Sequence, residues 1–183
     1  MKARSLEQVL IVAATERELV PVKRSHTLAC GIGPVEAAAT TARALAELRP
    51  SVVLHVGIAG ARDLPPLALV LGSEAIYCDA EGPLVPTRAL PDQALLGRLR
   101  DAFPGARVQP IGTSARVGGS HGVEVEAMEG FAVLRAAELA GVPAVEVRVI
   151  SNEIDEPERA RWRFDEALAA LAEFLPRLVA AAS

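Results

Sequence analysis

Cysteines, aromatic residues and long apolar runs are all scarce in this 183-residue chain, and each scarcity removes a class of answers. The two cysteines, Cys30 and Cys78, stand at no metal-ligand spacing. A zinc or disulfide framework is therefore excluded, and a reducing cytoplasm is the expected compartment. The three histidines, His26, His55 and His121, share no metal-binding spacing either, so no metal is expected, and His55, inside an apolar run, reads as a satisfied core residue. Four Phe, one Tyr, one Trp and a net charge of −4 supply neither stacking platforms nor a cationic track, which argues against a nucleic-acid partner. The first apolar run, Val9 to Ala14, follows Glu7 and Gln8 and stops at Thr15-Glu16-Arg17-Glu18, too short for a signal peptide. No segment reaches the roughly 20 apolar residues of a membrane span, so no membrane partner is expected.

Hydrophobic residues, in contrast, make up 51% of the chain, enough for one core and one domain over residues 1–183. Continuous branched runs at 8–14, 51–61 and 143–151 have the composition of strands covered on both faces, with weaker strands near 26–29, 67–77 and 106–116. Helical patterns fall between them at 35–48, 92–103, 125–140 and 156–181, and the Ala-rich tail after Pro176 reads as a frayed helix end. Alternating strands and helices predict an α/β fold, a three-layer α/β/α sandwich around a central mixed, largely parallel sheet. In such sheets ligands collect beyond the carboxyl ends of the strands. Four segments occupy those ends: Thr15–Glu18, Gly57–Ala61, Val117–Glu129 and Ser151–Asp155.

Each segment has a structural reading beside a functional one. Thr15 and Glu18 have the spacing of a capping box, while a carboxylate at a strand end can equally act as a general base. Cys30-Gly31-Ile32-Gly33-Pro34 leads into a helix, but Glu36 occupies the third glycine position of a dinucleotide fingerprint, so the pair of glycines reads as a tight strand-to-helix turn and no NAD is expected. Gly57-Ile58-Ala59-Gly60 lets either a ligand or a helix approach the backbone closely. Glu124, Glu126 and Glu129 surround Met128 at a loop-to-helix transition, where acids also start helices. Asn152 can close an Asx turn or face a ligand.

In order and together, LIVAATEREL, CGIGPVEAAATTA, VVLHVGIAGA, VEAMEGFAVLRAAELAGVPAVEVRVISN and RARWRFDEALAAL resemble the hydrolase branch of the purine nucleoside phosphorylase and nucleosidase superfamily. The run E-x-M-E-G-F, then I-S-N, then R-x-x-W is most similar to its futalosine-hydrolysing members, and next to methylthioadenosine/S-adenosylhomocysteine nucleosidases. The resemblance implies hydrolysis of the N-glycosidic bond of a small-molecule nucleoside, futalosine first, giving hypoxanthine and dehypoxanthine futalosine with no cofactor. It implies that Glu18 activates the attacking water and that Asn152 recognises the purine. Glu129 would hold the ribose hydroxyls with Met128 beneath the sugar, Ala59 and Gly60 would lie along the nucleoside, and Val117 and Gly118, opening VGGS, would stand beside the base. Relatives carry a longer segment between that strand end and the Met-Glu pair, where only His121 to Val125 stand here. That shortening keeps a non-catalytic nucleoside-binding homologue as a further alternative, and it favours a homodimer or higher homo-oligomer in which a second copy covers the open side.

Overall fold

The computed structural model describes residues 9–19 and 26–183; Gln8, the first residue of the expected opening strand, lies outside them. Strand β1 (Val9–Ala13) is followed by a short 3-10 turn (Glu16–Glu18), β2 (His26–Ala29), α1 (Pro34–Leu48), β3 (Val52–Ala61) and β4 (Leu69–Tyr77). Then come β5 (Arg88–Ala89), α2 (Gln93–Ala102), β6 (Arg107–Thr113), β7 (Val125–Ala127), α3 (Gly130–Ala140), β8 (Ala144–Glu153) and α4 (Phe164–Ala182).

The strands form one mixed sheet in the order β2-β1-β3-β7-β6-β4-β5, with β8 paired to both β3 and β4. Among the described residues five of the pairings are parallel (β1·β2, β1·β3, β3·β8, β4·β6, β6·β7) and three antiparallel. The chain β3-β8-β4-β6-β7-β3 closes on itself, so this part of the sheet is rolled around Ala59, Val70, Ile111, Val125 and Ile150.

Strand alternation sets the layers. Val9, Ile11 and Ala13 face the core shared with α2 and α4, whereas Leu10 and Val12 face α1 and α3. On β8, Val145, Val147 and Val149 join the α2/α4 core, which turns Glu146 and Arg148 toward the opposite side of the sheet. The α/β/α expectation is met, with α1 against α3 on one face and α2 against α4 on the other.

Three local expectations need correction. Residues 125–127 form a strand and the helix begins only at Gly130, because Val125, Glu126 and Ala127 pair with β6 and Val125 and Ala127 together face the interior of the rolled sheet. The last helix begins at Phe164, not 156; Pro157 and the turn at Arg159–Arg161 hold the preceding segment as a loop, tied to the carboxyl end of β8 by the Arg163 N–H to the Ser151 carbonyl at 2.8 Å. Beyond Pro176 the helix does not fray. Leu171, Leu175, Leu178 and Ala182 form one buried stripe, and that burial holds the final turns against α2.

Candidate active site

A cavity of about 590 Å³, within the range of small-molecule sites, opens beyond the carboxyl ends of β1, β3 and β8. Of the residues singled out from the sequence, Glu18, Ala59, Gly60, Val117, Met128, Glu129 and Asn152 line it together. Gly118 does not, and its N–H is committed to the Glu126 carboxylate at 2.5 Å.

Glu18 is both a cap and a cavity residue. Its Oε2 accepts from the Thr15 backbone N–H and from the Thr15 hydroxyl, each at 2.9 Å, closing the capping box. Its Oε1 faces the end of β3, 3.4 Å from the Ile58 N–H. Gly57 makes this approach possible, since a Cβ there would stand 2.7 Å from Glu18 Oε1 and closer still to Arg148 Nη1.

Glu129 comes to the cavity from the start of α3. Its Oε1 accepts the Gly33 N–H at 3.1 Å, so an amide of the glycine turn serves the chain's own carboxylate. Gly33 can present that amide because its φ is +90°. Glu129 Oε2 lies 3.6 Å from Arg148. Burial raises the Glu129 carboxyl above its ordinary value, against the opposing pull of Arg148 and the Gly33 amide.

Arg148 went unnoticed in the sequence. It is 1% exposed, and its Nε donates to Glu146 Oε1 at 2.8 Å while an Nη2 hydrogen points at His55 Nε2. His55 Nδ1 sits 3.1 Å from the Val12 carbonyl, which can only accept, so the ring is the neutral Nδ1–H tautomer with its Nε2 lone pair turned to Arg148. Burial and the Arg148 charge both push His55 down, consistent with that form. Burial alone would weaken the Arg148 cation, but Glu146 and Glu129 outweigh it and hold the proton more firmly. His55 is thus the satisfied core residue that its place in the strand suggests. The sequence signal for Arg148 was alternation: two charges on one face of a strand whose other face is Val145, Val147 and Val149.

Asn152 is positioned by a bulge. Ala59 pairs with Ile150 and Gly60 with Asn152, leaving Ser151 as the extra residue. The Ser151 hydroxyl lies 2.7 Å from Asn152 Oδ1, and Asn152 Nδ2 donates to the Glu153 carbonyl at 2.9 Å. A carbonyl cannot donate, so the nitrogen must face Glu153, and the second N–H of the amide has no hydrogen-bond partner among the described residues. On β7, whose Glu126 pairs with Gly60, the Glu126 carboxylate accepts from the Gly118 and Ser120 amides at 2.5 and 2.7 Å, which fixes the loop carrying Val117.

Comparison with known proteins shows the family and the fold. The family model described as Phosphorylase superfamily matches residues 19–119 and 113–182. A futalosine hydrolase of Streptomyces coelicolor is 36% identical, the match covering 82% of this chain and 77% of that protein; one of Thermus thermophilus is 36% identical over 51% of this chain and 40% of its own. Among solved structures, a futalosine hydrolase mutant of Helicobacter pylori superposes with a TM-score of 0.86 at 18% identity, covering 96% of this chain and 99% of that one. The 5′-methylthioadenosine/S-adenosylhomocysteine nucleosidase of Neisseria meningitidis gives 0.80 at 24% identity, covering 97% and 98%. At these identities the structural matches speak for the fold.

Proposed function

Because the chain belongs to the phosphorylase superfamily and, within it, to the family of its futalosine hydrolase relatives, we propose that it hydrolyses the N-glycosidic bond of futalosine. The products are hypoxanthine and dehypoxanthine futalosine, and the step serves menaquinone biosynthesis. One observation carries the reading: Glu18, Glu129 and Asn152, from three distant parts of the chain, are all buried in the wall of the same cavity.

Cleavage of an N-glycosidic bond builds positive charge on the sugar, and a buried carboxylate stabilises that charge far better than a hydrated one. Glu129 supplies it, held by Gly33 and Arg148, with Met128 on the same wall beneath the sugar. The water that attacks C1′ gives its proton to Glu18, whose Oε1 is the oxygen not held by Thr15. The departing base takes a hydrogen bond from the free N–H of Asn152. That donor suits the ring nitrogen of a 6-oxopurine edge, where a carboxylate would set lone pair against lone pair. Phosphate is a poor competitor for water here, since Glu18 occupies the wall from which the nucleophile arrives and would repel an anion.

The protein acts as a homodimer or larger assembly. Ile32, 61% exposed, and Val117, 46% exposed, are apolar residues that line the cavity yet face solvent, Val35 at the start of α1 is exposed as well, and a second copy would cover them. Light scattering should report at least a dimer at micromolar concentration; monomer throughout would contradict this. The catalytic reading is tested by incubating the protein with futalosine, inosine and methylthioadenosine and identifying the released base by chromatography. Hypoxanthine from futalosine supports it, and faster release of adenine from methylthioadenosine would overturn it in favour of the methylthioadenosine/S-adenosylhomocysteine nucleosidase alternative.

A further inference from the structure

Among the described residues Arg148 is the one cation within salt-bridge distance of Glu129, and it stops short of a hydrogen bond. Its Nη2 lies 3.6 Å from Glu129 Oε2, whereas a guanidinium free to close on a carboxylate settles at about 2.7 to 2.9 Å. The cause lies on the other side of the guanidinium. Nε donates to Glu146 Oε1 at 2.8 Å and an Nη2 hydrogen is committed to His55 Nε2, so the fork is tethered away from Glu129. Since Gly33 takes Glu129 Oε1, the gap leaves Oε2 as the oxygen open to a sugar.

Stability alone does not call for Glu146. It is fully buried, and its Oε2 has no hydrogen-bond partner among the described residues. A well-packed apolar side chain in place of a buried ion-pair member is often neutral or better for a fold when its partner is relieved as well. Yet the chain makes room for this carboxylate. A Cβ on Gly130, the first residue of α3, would collide with both of its oxygens. The φ of Gly130 is not positive, so space and not backbone conformation is what demands a glycine there.

We propose that Glu146, housed in the space that Gly130 leaves, is a positioning residue for the hydrolysis: it holds Arg148 off Glu129, so that Glu129 Oε2 keeps its charge and its lone pairs for the sugar. The proposal rests on the nucleoside reading above. Released from Glu146, the guanidinium would close on Glu129, occupy its open oxygen and neutralise the charge that stabilises the sugar cation. The other titratable groups around Glu129 do not replace Arg148. Glu18 beyond β1 raises the Glu129 carboxyl further, and the Cys30 thiol beyond β2, pushed up to about 12 chiefly by burial, stays neutral.

Glu146→Leu and Glu146→Gln test the proposal, because both remove the charge and only glutamine keeps an acceptor for Arg148 Nε. Each is compared with wild type by kcat/KM on futalosine against pH, and by ¹³C NMR titration of the Glu129 carboxyl, assigned by its loss in Glu129→Gln. Glu146→Leu should lower the plateau of kcat/KM about ten- to hundredfold and titrate Glu129 at lower pH than Glu146→Gln does, while Glu146→Gln regains most of the rate. Gly130→Ala displaces the carboxylate without removing its charge. It should lose rate in the same way and titrate Glu129 below wild type, and it takes the place of Glu146→Leu if that variant does not fold. A plateau unaffected by Glu146→Leu, or one lowered while Glu129 titrates as in Glu146→Gln, overturns the proposal. If no nucleoside releases hypoxanthine, the hydrolytic reading fails instead. The NMR titration then decides whether Glu146 holds Arg148 off Glu129: a lower midpoint in Glu146→Leu than in Glu146→Gln supports it, and equal midpoints overturn it.

Discussion

Gly33 and Glu129, 96 positions apart, are joined by a 3.1 Å hydrogen bond from the backbone amide to Oε1. The bond ties the turn before α1 to the start of α3, and it aims the carboxylate that the proposed chemistry needs at the cavity. With Arg148 on its other oxygen, Glu129 is fixed from both sides.

Glu18 carries a test that separates cap from catalyst. Glu18→Gln should lower kcat by about a hundredfold or more, the contribution of a positioned general base. Loss of the cap should cost about 1 kcal/mol or less of stability. Turnover and melting temperature measured on the same preparation distinguish the roles, and unchanged turnover would reduce Glu18 to a cap.

Arg148→Met should destabilise the fold by about 3 to 5 kcal/mol, because Glu146 and Glu129 would keep their burial and lose their cation. Adding Glu146→Leu should recover part of that loss, since Glu146 Oε2 already has no hydrogen-bond partner among the described residues. Denaturant unfolding of the two variants checks this; a double variant no more stable than the single one would contradict it.

Burial raises Glu129, so its proton persists above the ordinary carboxylate value of 4.5. The ionised form is the one that stabilises the sugar cation, and kcat/KM should therefore fall on acidification with a midpoint above 4.5. Stability runs the other way. A carboxyl that binds its proton more tightly when folded adds stability below its unfolded value and loses it as pH rises through the folded one. Glu129→Gln should thus gain stability relative to wild type as pH rises through that window. A rate profile flat down to 4.5 would contradict the assignment.

Asn152→Asp should weaken hypoxanthine release by about ten- to hundredfold in kcat/KM. The new carboxylate would face the Glu153 carbonyl, which now accepts from the amide, and would offer no donor to the purine. Steady-state kinetics with a 6-oxopurine nucleoside checks it, and an unaltered rate would remove Asn152 from base recognition.

Much of this site could be read in the sequence because its residues follow apolar runs directly: Glu18 after β1, Ala59 and Gly60 at the end of β3, Asn152 at the end of β8. What could not be read depends on pairing between distant segments. Arg148 and Glu146 sit in a run apolar enough to pass for a strand covered on both faces, and only the packing of α3 shows that their face is the interior one. Glu126 looked like a helix starter because its partners, the Gly118 and Ser120 amides, belong to a loop whose course local pattern does not set. The bulge at Ser151 likewise needs the register of β3 against β8, which no run of residues in either strand displays.

The most direct test of the central claim is hydrolysis of futalosine in ¹⁸O-labelled water containing inorganic phosphate, with the products identified by mass spectrometry. Hypoxanthine together with dehypoxanthine futalosine carrying one ¹⁸O at its anomeric position is the predicted result. A sugar phosphate, or futalosine recovered intact from folded protein, would contradict the account.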